Sequence, residues 1–132
     1  MAVSWWTVAS NNPPRVLVCI GNKSLTSNLV TESKEFGLNL VGSMFKEKGL
    51  QCGLTTGRTT RKAEQFGIAL VQGTAIKTSV VKDSIFTLEC HVVDTFASGE
   101  HLLFLADVLA VGGSGNGTPL SAVEGYKRLE ER

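Results

Sequence analysis

The sequence predicts a mainly β domain, a small antiparallel barrel with short helices at its periphery. Strand-like segments outnumber helix-like segments by about two to one. Arg15–Gly21 is an apolar run of strand length, and Phe36–Gly42 and Ile85–Phe96 alternate with period two. Ala97–Glu100 has the length of a hairpin loop. The helical segments fall between the strands too irregularly for a doubly wound parallel sheet.

The strands follow from residue type and from the residues that interrupt them. Val, Trp and Thr favour a strand at the start of the chain, and the two prolines of Asn11–Pro14 end it, because proline cannot donate to a ladder. The apolar run Arg15–Gly21 is typical of a central strand covered on both faces. The predicted strands are Met1–Ser10, Arg15–Gly21, Phe36–Gly42, Ile68–Gln72, Ile85–Phe96 and His101–Val111, with Thr74–Val81 as a weaker candidate.

Four short helices are predicted between or after these strands. Ser24 is the expected N-cap of the first, which has an apolar stripe of Leu25, Leu29 and Val30 and ends near Lys34. The other three cover 43–52, ended by Gly53, 62–66, ended by Gly67, and 120–129. Thr55–Arg61 and Gly112–Gly117 lack an apolar period and are expected to be loops.

Composition narrows the class of protein. The chain has 132 residues, 42% hydrophobic and 19% charged, which is typical of one globular domain. A net charge of +1 argues against nucleic-acid binding. Five of the thirteen basic residues lie between Lys46 and Lys62, so a local anion site stays open. Neither a secretory signal nor an apolar run of membrane-spanning length is found, and a cytoplasmic location without membrane contact is expected.

The three cysteines predict neither a metal site nor a disulfide framework. They are odd in number and widely spaced, and no CxxC pair occurs. Cys52 and Cys90 are interpreted as reduced thiols that pack like small hydrophobic residues. For Cys19 the cysteine pattern leaves the interpretation open.

A phosphate site is predicted where the second strand meets the first helix. The segment SLTSN, residues 24–28, opens the helix directly after Lys23. The first amide groups of a helix lack partners within it, and the helix dipole favours an anion there. Trp5 and Trp6 lie on the neighbouring first strand. The expected ligand is therefore a flat aromatic molecule with a phosphate tail.

The ordered set of segments resembles the flavin reductase-like family, which includes flavoredoxins and NAD(P)H:flavin oxidoreductases. The segments are SWWTVAS, NPPRVLVCIGNKSLTSNLV, EFGLNLV, TTGRTTRKAEQFG and LECHVVDTFASGEHLLFLADVLAV. The resemblance covers residues 1–132 as a single domain and implies an FMN-binding split β-barrel, antiparallel and of Greek-key type. The family usually has one more strand before the residue that is Met1 here, so a barrel edge is expected to need cover, most simply from a second subunit.

The resemblance also implies roles for individual residues. TTGRTTRKAEQF is similar to the family's SGRxxDKF segment, and GEHLLF to its G(D/E)HxLF motif, whose histidine lines the flavin and nicotinamide pocket. His101 is thus the implied catalytic residue, whereas His91 matches no motif. The implied cofactor-binding residues are Ser4, Trp5, Trp6, Lys23, Ser24, Thr26, Ser27, Asn28, Gly57, Arg58, Lys62 and His101. Alternatives from the residues alone are a core or interface tryptophan for Trp5, a simple helix cap for Ser24 and a solvated loop for Arg58.

The implied function is a flavoprotein that passes electrons from NAD(P)H to FMN, with FAD as an alternative, and then to a small-molecule or protein acceptor. A homodimer with the flavin near the subunit interface is expected. The alternatives are an electron carrier without NAD(P)H activity and a split barrel that has lost its cofactor. The GGSGNG segment, residues 112–117, lacks the glycine spacing and the βαβ context of a dinucleotide-binding motif.

Overall fold

The structure, a computed structural model, describes all 132 residues, and antiparallel strands predominate in it. The strands are β1 (Trp6–Asn11), β2 (Pro14–Gly21), β3 (Glu35–Leu40), β4 (Leu70–Gln72), β5 (Ser79–Val81), β6 (Phe86–Ser98), β7 (His101–Gly112), β8 (Leu120–Val123) and β9 (Arg128–Glu131). The helices are α1 (Leu25–Ser33), α2 (Lys46–Leu54) and α3 (Lys62–Gln65), and a 3₁₀ turn spans Ser43–Phe45. The predicted mainly β, antiparallel class is confirmed.

Five strands form one sheet in the order β1-β2-β7-β6-β3, and two separate hairpins, β4-β5 and β8-β9, accompany it. The long hairpin β6-β7 is the centre of the sheet. Ser98 pairs with His101, which leaves Gly99 and Glu100 as a two-residue turn. Gly99 has a φ of 54°, in the left-handed region that such tight turns require. β1 and β3 are the edges of the sheet.

The main core lies on one face of this sheet. Val16, Val18 and Ile20 of β2 are buried there and pack with Phe104 of β7 and Val30 of α1. The intervening Leu17 and Cys19 are only partly buried. β2 is central, as predicted, but the chain itself covers only one of its faces well.

Strand β6 contributes side chains to both faces of the sheet. Leu88, Cys90 and Val92 point into the main core, as their period-two spacing predicts. Thr87 and Glu89 are buried on the other side. The Glu89 carboxylate accepts hydrogen bonds from the amides of residues 74, 75 and 76, at 2.7, 2.7 and 3.2 Å, and from the Thr74 hydroxyl at 2.8 Å. Glu89 thereby holds the loop before β5 against the sheet.

Several predicted boundaries are wrong. The predicted first strand, Met1–Ser10, begins only at Trp6 and continues to Asn11. Of the weaker candidate, only Ser79–Val81 is a strand. Gly53 does not end α2, which continues to Leu54. The stripe on α1 also differs, because Leu29 is 52% exposed and Ser27 is buried beside Val30.

The predicted helix over 120–129 is wrong, because this segment forms the β8-β9 hairpin. Glu124, Gly125 and Tyr126 all have positive φ values, between 52° and 72°, which no right-handed helix accommodates. A residue far away in the sequence binds the hairpin: the Leu120 amide donates a hydrogen bond to the Val41 carbonyl at 2.8 Å. Leu129 is buried against α2. The longest helices, α1 and α2, have nine residues each, and none of the helices could span a membrane.

Candidate functional site

The turn between β2 and α1 has the predicted capped geometry. The Ser24 hydroxyl oxygen accepts a hydrogen bond from the Ser27 amide at 3.1 Å, and the hydroxyl donates to the Gly21 carbonyl at 2.8 Å. Ser24 is therefore the N-cap of α1, and α1 ends at the predicted Lys34, whose φ of 61° is left-handed.

The polar residues of this turn do not all face outwards. Ser27 is fully buried, and its hydroxyl makes hydrogen bonds to the carbonyls of Ser24 (2.8 Å) and Asn22 (3.3 Å). Ser24 and Ser27 thus use their side chains to shape the turn. The backbone amides of Leu25 and Thr26, at the start of α1, donate no hydrogen bond to the rest of the chain. Asn28 is exposed, and its side chain makes no hydrogen bond within the chain.

The basic loop lies against this same turn. The Arg58 guanidinium donates to the Lys23 carbonyl at 3.2 Å. A Cβ placed on Gly57 would lie 3.4 Å from the Leu25 side chain, so the backbone of the loop approaches the helix start closely. Lys23 and Arg58 are exposed, and neither takes part in an ion pair. Two unpaired cations therefore lie beside the unused amides.

An aromatic pair lies on the other side of the turn. The rings of Trp5 and His101 have centroids 4.8 Å apart and are tilted by 36°. Trp5 is held beside β2 because its carbonyl accepts from the Cys19 amide at 2.9 Å, and His101 pairs with Gly21. Trp5 remains 62% exposed. A broad aromatic surface is therefore available next to the turn.

The remaining predicted residues are separated from this outer cluster. Trp6, Thr26 and Lys62 line a cavity of about 380 Å³ that is partly open to solvent. Trp5 and Trp6, adjacent in sequence, thus face opposite sides of the sheet. The Lys62 ammonium donates to the Cys52 carbonyl at 2.7 Å. Ser4 is exposed and lies near Tyr126, a further residue of the cavity.

Tyr126 is the residue that sequence reasoning missed. Its hydroxyl is buried without a hydrogen-bond partner, and its ring lines the cavity. The segment was predicted to be a helix, which concealed its position in the turn of a hairpin. The only available signal was that Tyr126 is the sole aromatic residue in the last part of the chain.

Residues 1–129 match the family model described as the flavin reductase like domain. The chain belongs to the flavin reductase-like family. The fold is accordingly the FMN-binding split β-barrel that the resemblance implies, and the chain superimposes on solved structures of this fold.

Three flavin reductase-like proteins illustrate the relationship. The chain is 28% identical over 123 residues, 93% of its length and 62% of the relative's, to the reductase component of a 4-nitrophenol 4-monooxygenase/4-nitrocatechol 2-monooxygenase from Rhodococcus opacus. It superimposes on the flavoredoxin of Desulfovibrio vulgaris with a TM-score of 0.89, at 15% identity, over 100% of this chain and 77% of that one. For an FMN-binding protein from Thermus thermophilus, the TM-score is 0.77 and the identity 22%, over 84% and 61% of the two chains.

The chain spans 43% to 63% of the length of the curated relatives that it matches. The flavin reductase-like family includes flavin reductases and reductase components of monooxygenases.

Proposed function

We propose that this protein binds FMN at the turn between β2 and α1 and reduces it with NAD(P)H. One observation carries the proposal: the exposed Trp5–His101 pair and the unpaired cations Lys23 and Arg58 flank the same turn. The planar ring of FMN needs an aromatic surface, its phosphate needs a cationic one, and the ribityl chain joins the two. His101 pairs with Gly21 at the start of the turn, and Arg58 contacts Lys23 within it.

The residues of the turn fit the phosphate end of such a ligand. Unused amides at a helix start, with the helix dipole behind them, bind an anion without further help. Lys23 and Arg58 add two positive charges without a neighbouring carboxylate to neutralise them. Ser24 and Ser27 contribute indirectly, since their hydroxyls fix the turn. Asn28 and Gly57 lie at its rim and admit the ribityl chain.

The aromatic pair fits the ring end. Trp5 offers a face for stacking, and His101, in contact with Trp5, lies where a nicotinamide would have to meet the ring. FMN, when bound, would supply the redox chemistry by accepting a hydride from the nicotinamide. His101 would hold the nicotinamide in position and exclude water from it. FAD remains an alternative to FMN, because nothing in the turn excludes a longer ligand.

Trp6, Thr26 and Lys62 would support the site from inside the barrel. Thr26 belongs to the same first turn of α1 as the unused amides, and Lys62 lines the same cavity as Thr26. Ser4 precedes Trp5 and would orient it. These residues therefore contribute to the electrostatics and the packing of the site more than to its surface.

We further propose that the protein acts as a homodimer through the outer face of the sheet. This face carries Trp5, Leu17, Leu103 and the 47% exposed Phe96. An apolar surface of this kind marks an interaction site. The face ends at the Trp5–His101 pair, so a second copy bound there would approach the flavin. A small molecule or another protein would then take the electrons.

The direct test is titration of the purified chain with FMN, followed by stopped-flow mixing with NADH or NADPH. Saturable binding and rapid bleaching of the flavin absorbance are expected. Binding without reduction by either nucleotide would favour an electron carrier. Absence of binding would contradict the proposal and leave a split barrel without cofactor.

A further inference from the structure

The cavity lined by Trp6, Thr26 and Lys62, which is partly open to solvent, has the character of a second ligand site. It lies between the five-stranded sheet and the layer formed by α2, α3 and the β8-β9 hairpin, and its volume is about 380 Å³. This falls in the range of about 300–1,000 Å³ that small-molecule sites occupy. Most of its lining is apolar, including Val18, Ile20 and Leu38, and no aspartate or glutamate lines it.

Lys62 supplies the positive charge of this cavity. Its half-buried ammonium donates to the Cys52 carbonyl at 2.7 Å, whereas the Lys48 ammonium lies at the surface and donates to the exposed Gly67 carbonyl at 2.9 Å. An ammonium has three donors, so Lys62 retains two. Lys62 takes part in no ion pair. A half-buried positive charge without a counter-ion attracts an anion more strongly than a charge in open water.

Tyr126, another residue of the cavity lining, supplies an unsatisfied donor. Its hydroxyl is buried without a partner, and Ser4, though near, makes no hydrogen bond of acceptable geometry with it. A Cβ on Gly53 would lie 3.5 Å from the tyrosine ring, so the ring packs against the last turn of α2. The preceding residue, Cys52, accepts from Lys62. Burial raises the pKa of Tyr126, which keeps the hydroxyl protonated and able to donate.

We propose that this cavity binds a small apolar carboxylic acid, with its carboxylate at Lys62 and Tyr126 and its hydrocarbon body along Val18 and Ile20. An apolar body matches the lining, and the carboxylate accepts the hydrogen bonds that the lysine and the tyrosine have to give. A neutral molecule of the same length would satisfy the lining but not the lysine. The site adjoins the outer turn to which FMN is assigned, since Thr26 belongs to both, but it lies on the opposite face of the sheet from the Trp5–His101 pair.

The four isoleucines allow a direct test by NMR. Ile20 and Ile68 line the cavity, whereas Ile76 and Ile85 are buried elsewhere. In flavin-free protein with labelled isoleucine δ1 methyl groups, sodium octanoate is expected to shift the signals of the first pair and not of the second. Affinity should rise about fourfold per methylene from butyrate to octanoate. 1-Octanol should bind at least about tenfold more weakly, because its neutral hydroxyl takes the place of the charged carboxylate at the Lys62 ammonium.

Variants separate this site from the flavin site. Lys62→Met is expected to weaken octanoate binding about tenfold or more, and Tyr126→Phe about threefold or more, while Lys82→Met, an exposed control, has no effect. Because Lys62 belongs to both proposals, the Tyr126→Phe variant distinguishes the carboxylic acid site from the FMN site. This variant should leave the FMN affinity unchanged. Octanoate that shifts none or all four of the isoleucine signals, octanol that binds as well as octanoate, or a Tyr126→Phe variant that keeps octanoate affinity would overturn the proposal.

Discussion

The Arg58 guanidinium donates a hydrogen bond of 3.2 Å to the main-chain carbonyl of Lys23, across 35 residues of sequence. This contact attaches the basic loop to the start of α1, so that both cations lie beside the amides of its first turn. Only one of the five guanidinium donors is used. The remainder, with the Lys23 ammonium, are available to a phosphate.

Arg58→Ala is therefore expected to weaken FMN binding about tenfold, because a charge-assisted contact to the phosphate is lost. Fluorescence titration of FMN measures this, and the loss should shrink as salt is added. Arg61→Ala is the matched control: Arg61 lies in the same loop, is exposed and pairs only with Glu64, at 3.7 Å. Equal losses in both variants would place the phosphate elsewhere.

Thr26→Ala and Lys62→Ala are expected to weaken FMN binding by smaller factors, about threefold each, since both act from inside the barrel. The same titration checks this, with Lys82→Ala as control for a lost surface charge. Affinities unchanged in both variants would show that the inner residues do not serve the flavin.

His101→Asn is expected to slow flavin reduction by NAD(P)H about tenfold or more while FMN affinity changes little, because His101 is assigned to the nicotinamide side of the ring. Stopped-flow reduction under saturating FMN separates the two effects. His91→Asn is the control, as His91 is exposed on β6 and remote from Trp5 in the sheet. A loss of FMN affinity with an unchanged reduction rate would reverse the assignment.

The part of the fold that local chemistry determines could be predicted from sequence. Ser24 caps α1 through its own neighbour Ser27, and the alternation along β6 decides which side chains reach the core. The proximity of Arg58 to Lys23 could be predicted only from the family resemblance, because the segments that contain these residues both match motifs of the flavin reductase-like family. Charge and spacing alone leave open which turn a basic loop approaches.

Elements held by distant contacts could not be predicted. The segment 120–129 contains good helix formers, but the Leu120 amide bonds to Val41, and Leu129 packs against Gly49, where an added Cβ would lie 2.8 Å from its side chain. The opposite orientations of Trp5 and Trp6 are implicit in the alternation of a strand. Which of them faces the cavity depends on the pairing with β2.

Glu89→Gln is expected to destabilise the protein by about 1–3 kcal/mol at pH 7, because a carboxylate that accepts four hydrogen bonds is replaced by a weaker acceptor with two donors. Burial alone would raise the pKa of Glu89, but the hydrogen bonds from Ala75, Thr74 and Ile76 outweigh it and hold this pKa below the ordinary value of a glutamate. A lowered pKa stabilises the fold above the unfolded-state value, and the contribution is lost as pH falls through the folded-state value.

Urea unfolding at pH 7 and at successively lower pH should therefore show the difference between wild type and Glu89→Gln narrowing with acid. Glu100→Gln, at an exposed turn, is the control. A difference independent of pH would assign the effect to packing alone.

Cys90 is expected to resist alkylation by iodoacetamide at pH 8, while Cys19 and Cys52, which are partly accessible, react. Burial, and in second place the negative charge of Glu89, raise the pKa of Cys90 to about 12, so almost no thiolate forms. Mass spectrometry of peptides from native and urea-unfolded protein measures the difference. Because Cys90 adjoins Glu89 on β6, its labelling reports opening of this part of the core. Glu89→Gln should accelerate labelling at Cys90 and leave the rates at Cys19 and Cys52 unchanged; equal acceleration at all three would mean that the whole fold opens instead.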